Sequence, residues 1–186
     1  MNYPNGVKKK YTSLKSYGNR GMSLESDLND TNAYYLNNDI AVIYKKPTPI
    51  TINKVDYKSR RDAVITEAHF KIPSTTDYNG VYKGKYIDFE AKETKNTTSF
   101  PLANIHKHQI DHLEKIHKHG GIGFIIVRFT KLNKTYLLYI EDLLDIIHNS
   151  KRLSIPISYF EEKGFIIKEK IIPRLNYLEI IDMKGV

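Results

Sequence analysis

Residues 77–92, DYNGVYKGKYIDFEAK, contain the side chains whose types and spacing best suit chemistry. From Tyr86 to Lys92 the pattern alternates: Ile87, Phe89 and Ala91 are apolar, whereas Tyr86, Asp88, Glu90 and Lys92 are not. Successive side chains of a strand point to opposite faces. The pattern therefore predicts a strand with Asp88, Glu90 and Lys92 on one face and Ile87 and Phe89 buried on the other. Lys83-Gly84 is a candidate two-residue turn, since Gly accepts positive φ. It places Asp77 opposite Glu90 and, if the ladder reaches that far, Thr75 opposite Lys92. Directly opposed residues have Cβ atoms ~4.5–5.5 Å apart, and like charges at that distance repel. A hard cation between them reverses the sign, and Mg²⁺ suits one or two carboxylates completed by waters and phosphate oxygens. Lys92 would then orient an attacking water or stabilise charge on phosphorus. The competing turn, Asn79-Gly80, would set Tyr82 against Asp77 and break the pairing. The plain alternative to a site is a solvated polar face, because structural ion pairs make similar clusters.

Other residues are weighed in the same way. Glu25 lies in the first turn of a predicted helix, where an acid either joins a metal site or complements the helix dipole. Asp88 shares the face of Glu90, opposite Asn79, and reads as a lesser site candidate or a solvated residue. Gln109 would orient a water or phosphate, or simply face solvent. Five of the seven His lie in HKHQIDHLEKIHKH, residues 106–119. His108 and His112 have zinc-ligand spacing, but Gln109 stands where a zincin needs Glu, and there is no Cys to complete another common site. The run reads as a polar helix face. GGIG at 120–123 lacks the phosphate-loop pattern.

The surrounding elements must hold this hairpin. A helix is predicted from Ser23, its N-cap, to about Asn37, with Leu24, Leu28 and Tyr35 as its apolar stripe. A strand over 39–45 follows, then Pro47 and Pro49. Residues 50–73 alternate weakly and read as an extended hairpin or a projecting arm. After the site hairpin come a helix from about Leu102 to Lys118, ended by Gly120-Gly121, and strands over 122–129 and 134–140. Helices over 141–148 and 158–163 and extended runs over 165–170 and 177–182 complete the chain. This order predicts a mixed α/β domain with a central sheet.

Charge and composition narrow the class. The 186 residues carry net +8, with no Cys, 14 Tyr and 7 Phe. The length fits one domain of the usual ~100–200 residues. Residues 1–21 hold +5 with no acid, residues 45–61 hold another +5, and the remainder holds −2. Two such clusters suit a partner with a dense negative field, and nucleic acid fits better than a membrane because neither cluster lies on a clear amphipathic helix. The absence of Cys excludes a disulfide framework and a Cys nucleophile. The longest uncharged apolar stretch, Gly120 to Val127, is far short of the ~20 residues a membrane span needs. MNYPNGVKKK has no apolar run behind its lysines and does not read as a secretory signal. A soluble cytoplasmic protein is the expectation.

The segments YGNRGMSLE (17–25), DIAVIYKKPTPI (39–50), STTDYNGVYKGKYIDFEAKETKNTTSFPL (74–102) and PRLNYL (173–178) together resemble the RecU family of Holliday junction resolvases. That family is similar in its catalytic core to PD-(D/E)xK nucleases. The resemblance runs nearly the whole chain in the same order, with Thr76 at the proline of the broader motif. It implies an α/β fold, a mixed central sheet flanked by helices. It also implies a Mg²⁺-dependent homodimer (Mn²⁺ being the alternative metal) that nicks opposing strands of a four-way DNA junction. Thr75, Asp77, Glu90 and Lys92 match the family's active-site motif. Asp77, Glu90 and the Ala91 carbonyl would hold the metal, Lys92 would act on water or phosphate, and Thr75 would support the site. Residues 45–73 match a projecting basic stalk inserted in a single nuclease domain, 22–186, behind a flexible basic tail, 1–21. Lys8, Lys9, Lys10 and Arg20 of the tail and Lys45, Lys46, Lys58, Arg60 and Arg61 of the stalk would contact DNA. A RecA-type recombinase is a further implied partner. The rival reading is a DNA-binding protein that anneals strands or modulates a recombinase, with weak or no cleavage.

Overall fold

The computed structural model describes residues 23–57, 59, 61–71 and 75–185. Helix α1 spans Leu24–Asn37, with the Ser23 hydroxyl accepting from the Ser26 amide and Glu25 and Asp27 in the first turn. Its apolar stripe buries Leu24, Leu28 and Tyr35. Strand β1 begins at Val42, later than the predicted 39. The chain is still closing the helix before that: the Ile40 amide reaches the Tyr35 carbonyl at 2.9 Å, and Asp39 takes φ 55°.

Strands β2 (Ile50–Asp56) and β3 (Val64–Phe70) form a separate antiparallel ribbon with a bulged register. Ile50, Ile52, Val64, Ile65 and Phe70 are all exposed on it. Strands β4 (Tyr78–Tyr82) and β5 (Lys85–Thr94) make the site hairpin. β6 (Ser99–Pro101) and a 3₁₀ turn at Leu102–Asn104 precede helix α2, Lys107–Lys118. The predicted helix start at 102 is thus corrected. β6 pairs with β9 (Ser154–Pro156), and α2 opens five residues later on a capping box between His106 and Gln109.

Strands β7 (Ile122–Phe129) and β8 (Lys134–Tyr139) lead into α3, Ile140–Asn149. Helix α4 (Ile157–Glu162), strand β10 (Phe165–Ile166) and helix α5 (Leu178–Met183) follow. The extended run predicted over 177–182 is therefore helical, because Leu178 and Ile181, one turn apart, bury together in the core and packing overrides the β-branched composition.

The main sheet runs β1-β4-β5-β7-β8-β10, with β5 and β7 parallel and the other neighbours antiparallel. Helix α2 makes the crossover between the two parallel strands, so the centre of the sheet is covered on both sides. One face carries Ile87, Phe89, Phe124, Ile126, Leu137 and Tyr139 against α1 and α5. The other carries Ile125, Val127, Phe129 and Leu138 against Leu113 of α2, Leu143 of α3 and Phe160 of α4. The fold is mixed α/β, with a central mixed sheet between helices. No helix among the described residues is long and apolar enough to cross a membrane.

Candidate active site

Lys83 and Gly84 take φ of 47° and 75°, the two positive values of a tight hairpin turn. The ladder they set pairs Tyr82 with Lys85 and continues to Tyr78 opposite Phe89. One step further, the pairing gives way to side chains. The Asp77 amide donates to Glu90 Oε2 at 3.1 Å, and the Ala91 amide donates to Asp77 Oδ2 at 3.4 Å. The N–H and C=O of one strand residue leave the strand on the same side. The Ala91 carbonyl is therefore directed to the Asp77 side, beyond the end of β4.

Glu90 is fully buried, and its Oε1 lies 2.6 Å from Lys92 Nζ without forming a hydrogen bond of normal geometry. Burial, with the Asp77 charge adding to it, raises the Glu90 carboxyl to about 7, against a partial offset from Lys92. The site thus gathers two carboxylates, one of them buried, and a backbone carbonyl. All three are hard oxygen donors of the kind Mg²⁺ takes. Among the described residues no three His, Cys, Asp or Glu side chains gather tightly enough to hold a metal by themselves. A cation here would therefore draw the rest of its shell from the backbone, water and a bound phosphate.

Asp88 is not solvated, as one reading of the sequence had it. It is fully buried one strand-width from Asn79, its ladder partner. Its Oδ2 accepts from Lys46 Nζ at 2.8 Å, from the Tyr86 hydroxyl at 3.0 Å, and meets His112 Nε2 at 3.1 Å. Its Oδ1 accepts from the Thr76 hydroxyl. Gln109 likewise is buried, its Oε1 accepting from the His106 amide at 3.0 Å as part of the α2 cap. Glu25 is more than half exposed and pairs with Lys45 Nζ at 2.5 Å.

The basic residues divide. Lys46, expected to face DNA, turns inward instead. Its ammonium donates to Thr75 Oγ1 at 3.2 Å, Thr76 Oγ1 at 2.8 Å and Asp88, and its amide donates to the Asp77 carbonyl at 2.7 Å. The reason is electrostatic: a buried carboxylate needs a cation, and Lys46 supplies it. Lys45 stays partly exposed beside Glu25, and Arg61 is exposed between β2 and β3. Lys8, Lys9, Lys10, Arg20, Lys58 and Arg60 lie outside the described residues.

Sequence reasoning passed over the inward role of Lys46 and the approach of Tyr86 and His112 to Asp88. One signal was available. Gln109, His112 and Leu113 fall on one side of α2, and two polar residues beside a core leucine mark a helix face that meets something polar.

Comparison with known proteins bears on this geometry. The chain matches the family described as "Recombination protein U" over residues 19–183. It is similar to a protein named Holliday junction resolvase RecU from Pediococcus pentosaceus, 53% identical over 193 residues, covering 98% of this chain and 96% of the relative. It is also similar to the protein of the same name from Bacillus cytotoxicus, 50% identical over 194 residues, covering 98% and 97%. Among solved structures it aligns with Hjc of Archaeoglobus fulgidus, a Holliday junction resolvase. That alignment has a TM-score of 0.44 and 12% identity, covering 77% of this chain and 93% of that one.

Proposed function

From the premise that this chain belongs to the RecU (recombination protein U) family, we propose that it is a structure-specific endonuclease that resolves four-way DNA junctions in recombination and repair. The observation that carries the reading is the Asp77–Glu90 pair with Lys92 beside it, at the point where the hairpin ladder ends. The reaction assigned is hydrolysis of a phosphodiester.

Asp77, Glu90 and the Ala91 carbonyl would hold a divalent cation, Mg²⁺ or alternatively Mn²⁺. The fit rests on the mutual repulsion of the two carboxylates, the buried Glu90 Oε1 whose close neighbour is the Lys92 ammonium, and the all-oxygen donor set. When bound, the cation supplies positive charge to the phosphate oxygens and lowers the pKa of a bound water. The chain's own residues do the rest. Lys92, an ammonium that only donates, holds the attacking water or a phosphate oxygen. Thr75 Oγ1 accepts from Lys46, which leaves its own hydroxyl proton to meet the scissile phosphate. Water attacks phosphorus in line and gives up a proton to solvent as the P–O bond forms, and the bond to the 3′-oxygen breaks as that oxygen takes up a proton from solvent.

The assembly assigned is a homodimer, whose two sites would face a junction that is itself pseudo-symmetric. Residues 45–73 are assigned as an inserted stalk and residues 22–186 as one nuclease domain. The basic residues of the stalk other than Lys46, and those of the 1–21 tail, serve as phosphate contacts. A RecA-type recombinase is a further partner of this reading, and its compartment is the cytoplasm, with the DNA.

The test is cleavage of a labelled four-way junction beside a linear duplex of the same sequence, in Mg²⁺ and in EDTA, for the native chain and Glu90→Gln. Paired nicks in the junction alone, lost in EDTA and in the variant, are expected. Tight junction binding without nicks in any divalent metal would leave a binding or strand-annealing role instead.

A further inference from the structure

Asp88 and Glu90 are both fully buried, two residues apart on one face of β5, yet their surroundings differ in kind. Glu90 Oε1 has Lys92 Nζ at 2.6 Å, out of normal hydrogen-bond geometry. Asp88 meets four donor groups: Thr76 at Oδ1, and Lys46, Tyr86 and His112 together at Oδ2. A carboxylate so surrounded is spent on holding protein groups together. Its partners come from four parts of the fold: Lys46 from the end of β1, Thr76 from the segment before β4, Tyr86 from β5 itself and His112 from α2.

The Lys46 end of this network bears directly on the chemistry. The same ammonium that meets Asp88 reaches Thr75 and Thr76, and the Lys46 amide holds the Asp77 carbonyl. Asp77 belongs to no strand, and its carboxylate accepts from the Ala91 amide at a long 3.4 Å. Asp77 is thus held by two shorter ties, its own amide to Glu90 Oε2 at 3.1 Å and its carbonyl to the Lys46 amide, and the Lys46 side chain is anchored on Asp88. A carboxylate oxygen accepts, so His112 must present Nε2–H to it. That donor fixes the side of Asp88 which faces α2.

We propose that His112 is a positioning residue for phosphodiester cleavage: it orients Asp88, which holds Lys46, which holds the Thr75–Asp77 segment against Glu90. The inference rests on the nuclease reading for its effect on rate. It assigns a task to one histidine of a run that otherwise reads as a polar helix face. Tyr86 touches the same oxygen from the same strand as Asp88, and its hydroxyl links that strand to Asn79 of β4, whereas His112 links it to α2.

The experiment compares His112→Phe, which removes the donor and keeps the bulk, with His112→Gln, which restores an N–H. Single-turnover nicking of a labelled four-way junction is followed across a Mg²⁺ titration, with junction binding in EDTA and thermal melting measured alongside. Groups that orient metal ligands typically cost 10- to 100-fold when removed. His112→Phe is expected to slow nicking by roughly that factor and to raise the Mg²⁺ needed for half-maximal rate. Junction affinity in EDTA should stay at the parent value, and His112→Gln should recover most of the rate. Wild-type nicking and Mg²⁺ dependence in His112→Phe would overturn the proposal, as would equal loss in both variants. If His112→Phe does not fold, ring ¹⁵N spectra of the native protein decide. A protonated, exchange-protected Nε2 at His112 is expected, and a ring protonated at Nδ1 alone would overturn the clamp. A native chain that makes no nicks would overturn the nuclease reading itself, and the positioning role with it.

Discussion

Burying Glu90 beside Asp77 destabilises the metal-free protein, since desolvation and a like charge both oppose ionisation. The direction of the pH effect follows. The Glu90 carboxyl is raised from 4.5 to about 7 in the folded chain, so between those values the native state holds a proton that the unfolded chain has released. Stability from this group is complete below the unfolded value and is lost as pH rises through about 7. In EDTA, Glu90→Gln is therefore expected to melt at a higher temperature than the parent at pH 8, with the gap closing toward pH 5. Chemical or thermal denaturation across that range checks it. A parent and variant with parallel pH curves would show that Glu90 ionises freely. Added Mg²⁺ should raise the melting temperature of the parent and leave the variant unmoved, because a ligand that binds the native state alone stabilises it by mass action.

At the scale of elements, the site depends on how closely β1 lies against β4. Gly80 sits opposite Ile43, and a Cβ there would come within 2.0 Å of the Val42 carbonyl oxygen and 2.6 Å of Ile43 Cα, both backbone. Gly80→Ala should therefore push β1 outward and drag Lys46 from Asp88. A stability loss of about 1–3 kcal/mol, typical of overpacking, is expected together with slower junction nicking. Loss of stability with full nicking would mean that β1 does not set the site. On the opposite face, α1 is tied down by Asp27, which meets Arg128 at 2.6 Å and Arg174 at 3.2 Å, while both arginines reach Glu169. Arg128→Met removes one partner of a buried pair and should cost about 3 kcal/mol or more by denaturant titration. The same scale explains what could be read in advance. The approach of Asp77 to Glu90 was legible because a turn dipeptide and a two-residue alternation are local signals, although the strand ladder itself ends one step earlier, at Tyr78 and Phe89. The buried state of Asp88 was not, because its partners Lys46 and His112 are 42 and 24 residues away. The α2 start and the α5 helix were misjudged for the same reason. One is set by the pairing of β6 with β9 and by a cap, the other by core packing.

For the whole molecule, the described residues fall into a sheet-and-helix body and a two-stranded ribbon that pairs with no third strand. A lone hairpin is marginal in water, and this one exposes Ile50, Ile52 and Phe70. Nothing in the body's sheet order requires it: β1 and β4 pair directly, with the whole insertion between them. The two ends of the insertion lie side by side, since the Lys46 amide reaches the Asp77 carbonyl at 2.7 Å. A short glycine-serine bridge can therefore replace residues 48–74 without stretching the site. The shortened chain is expected to keep a cooperative melt near that of the parent. Its junction affinity should fall, because Lys54, Lys58, Arg60 and Arg61 leave with the insertion. For every phosphate that the shortened chain no longer neutralises, the dependence of log affinity on log salt becomes shallower by about 0.9. A salt titration of junction binding for parent and shortened chain measures that number directly. An unchanged slope would move the DNA-binding surface to the body and the N-terminal basic segment. A chain that no longer melts cooperatively would show that the ribbon is part of what holds the body together.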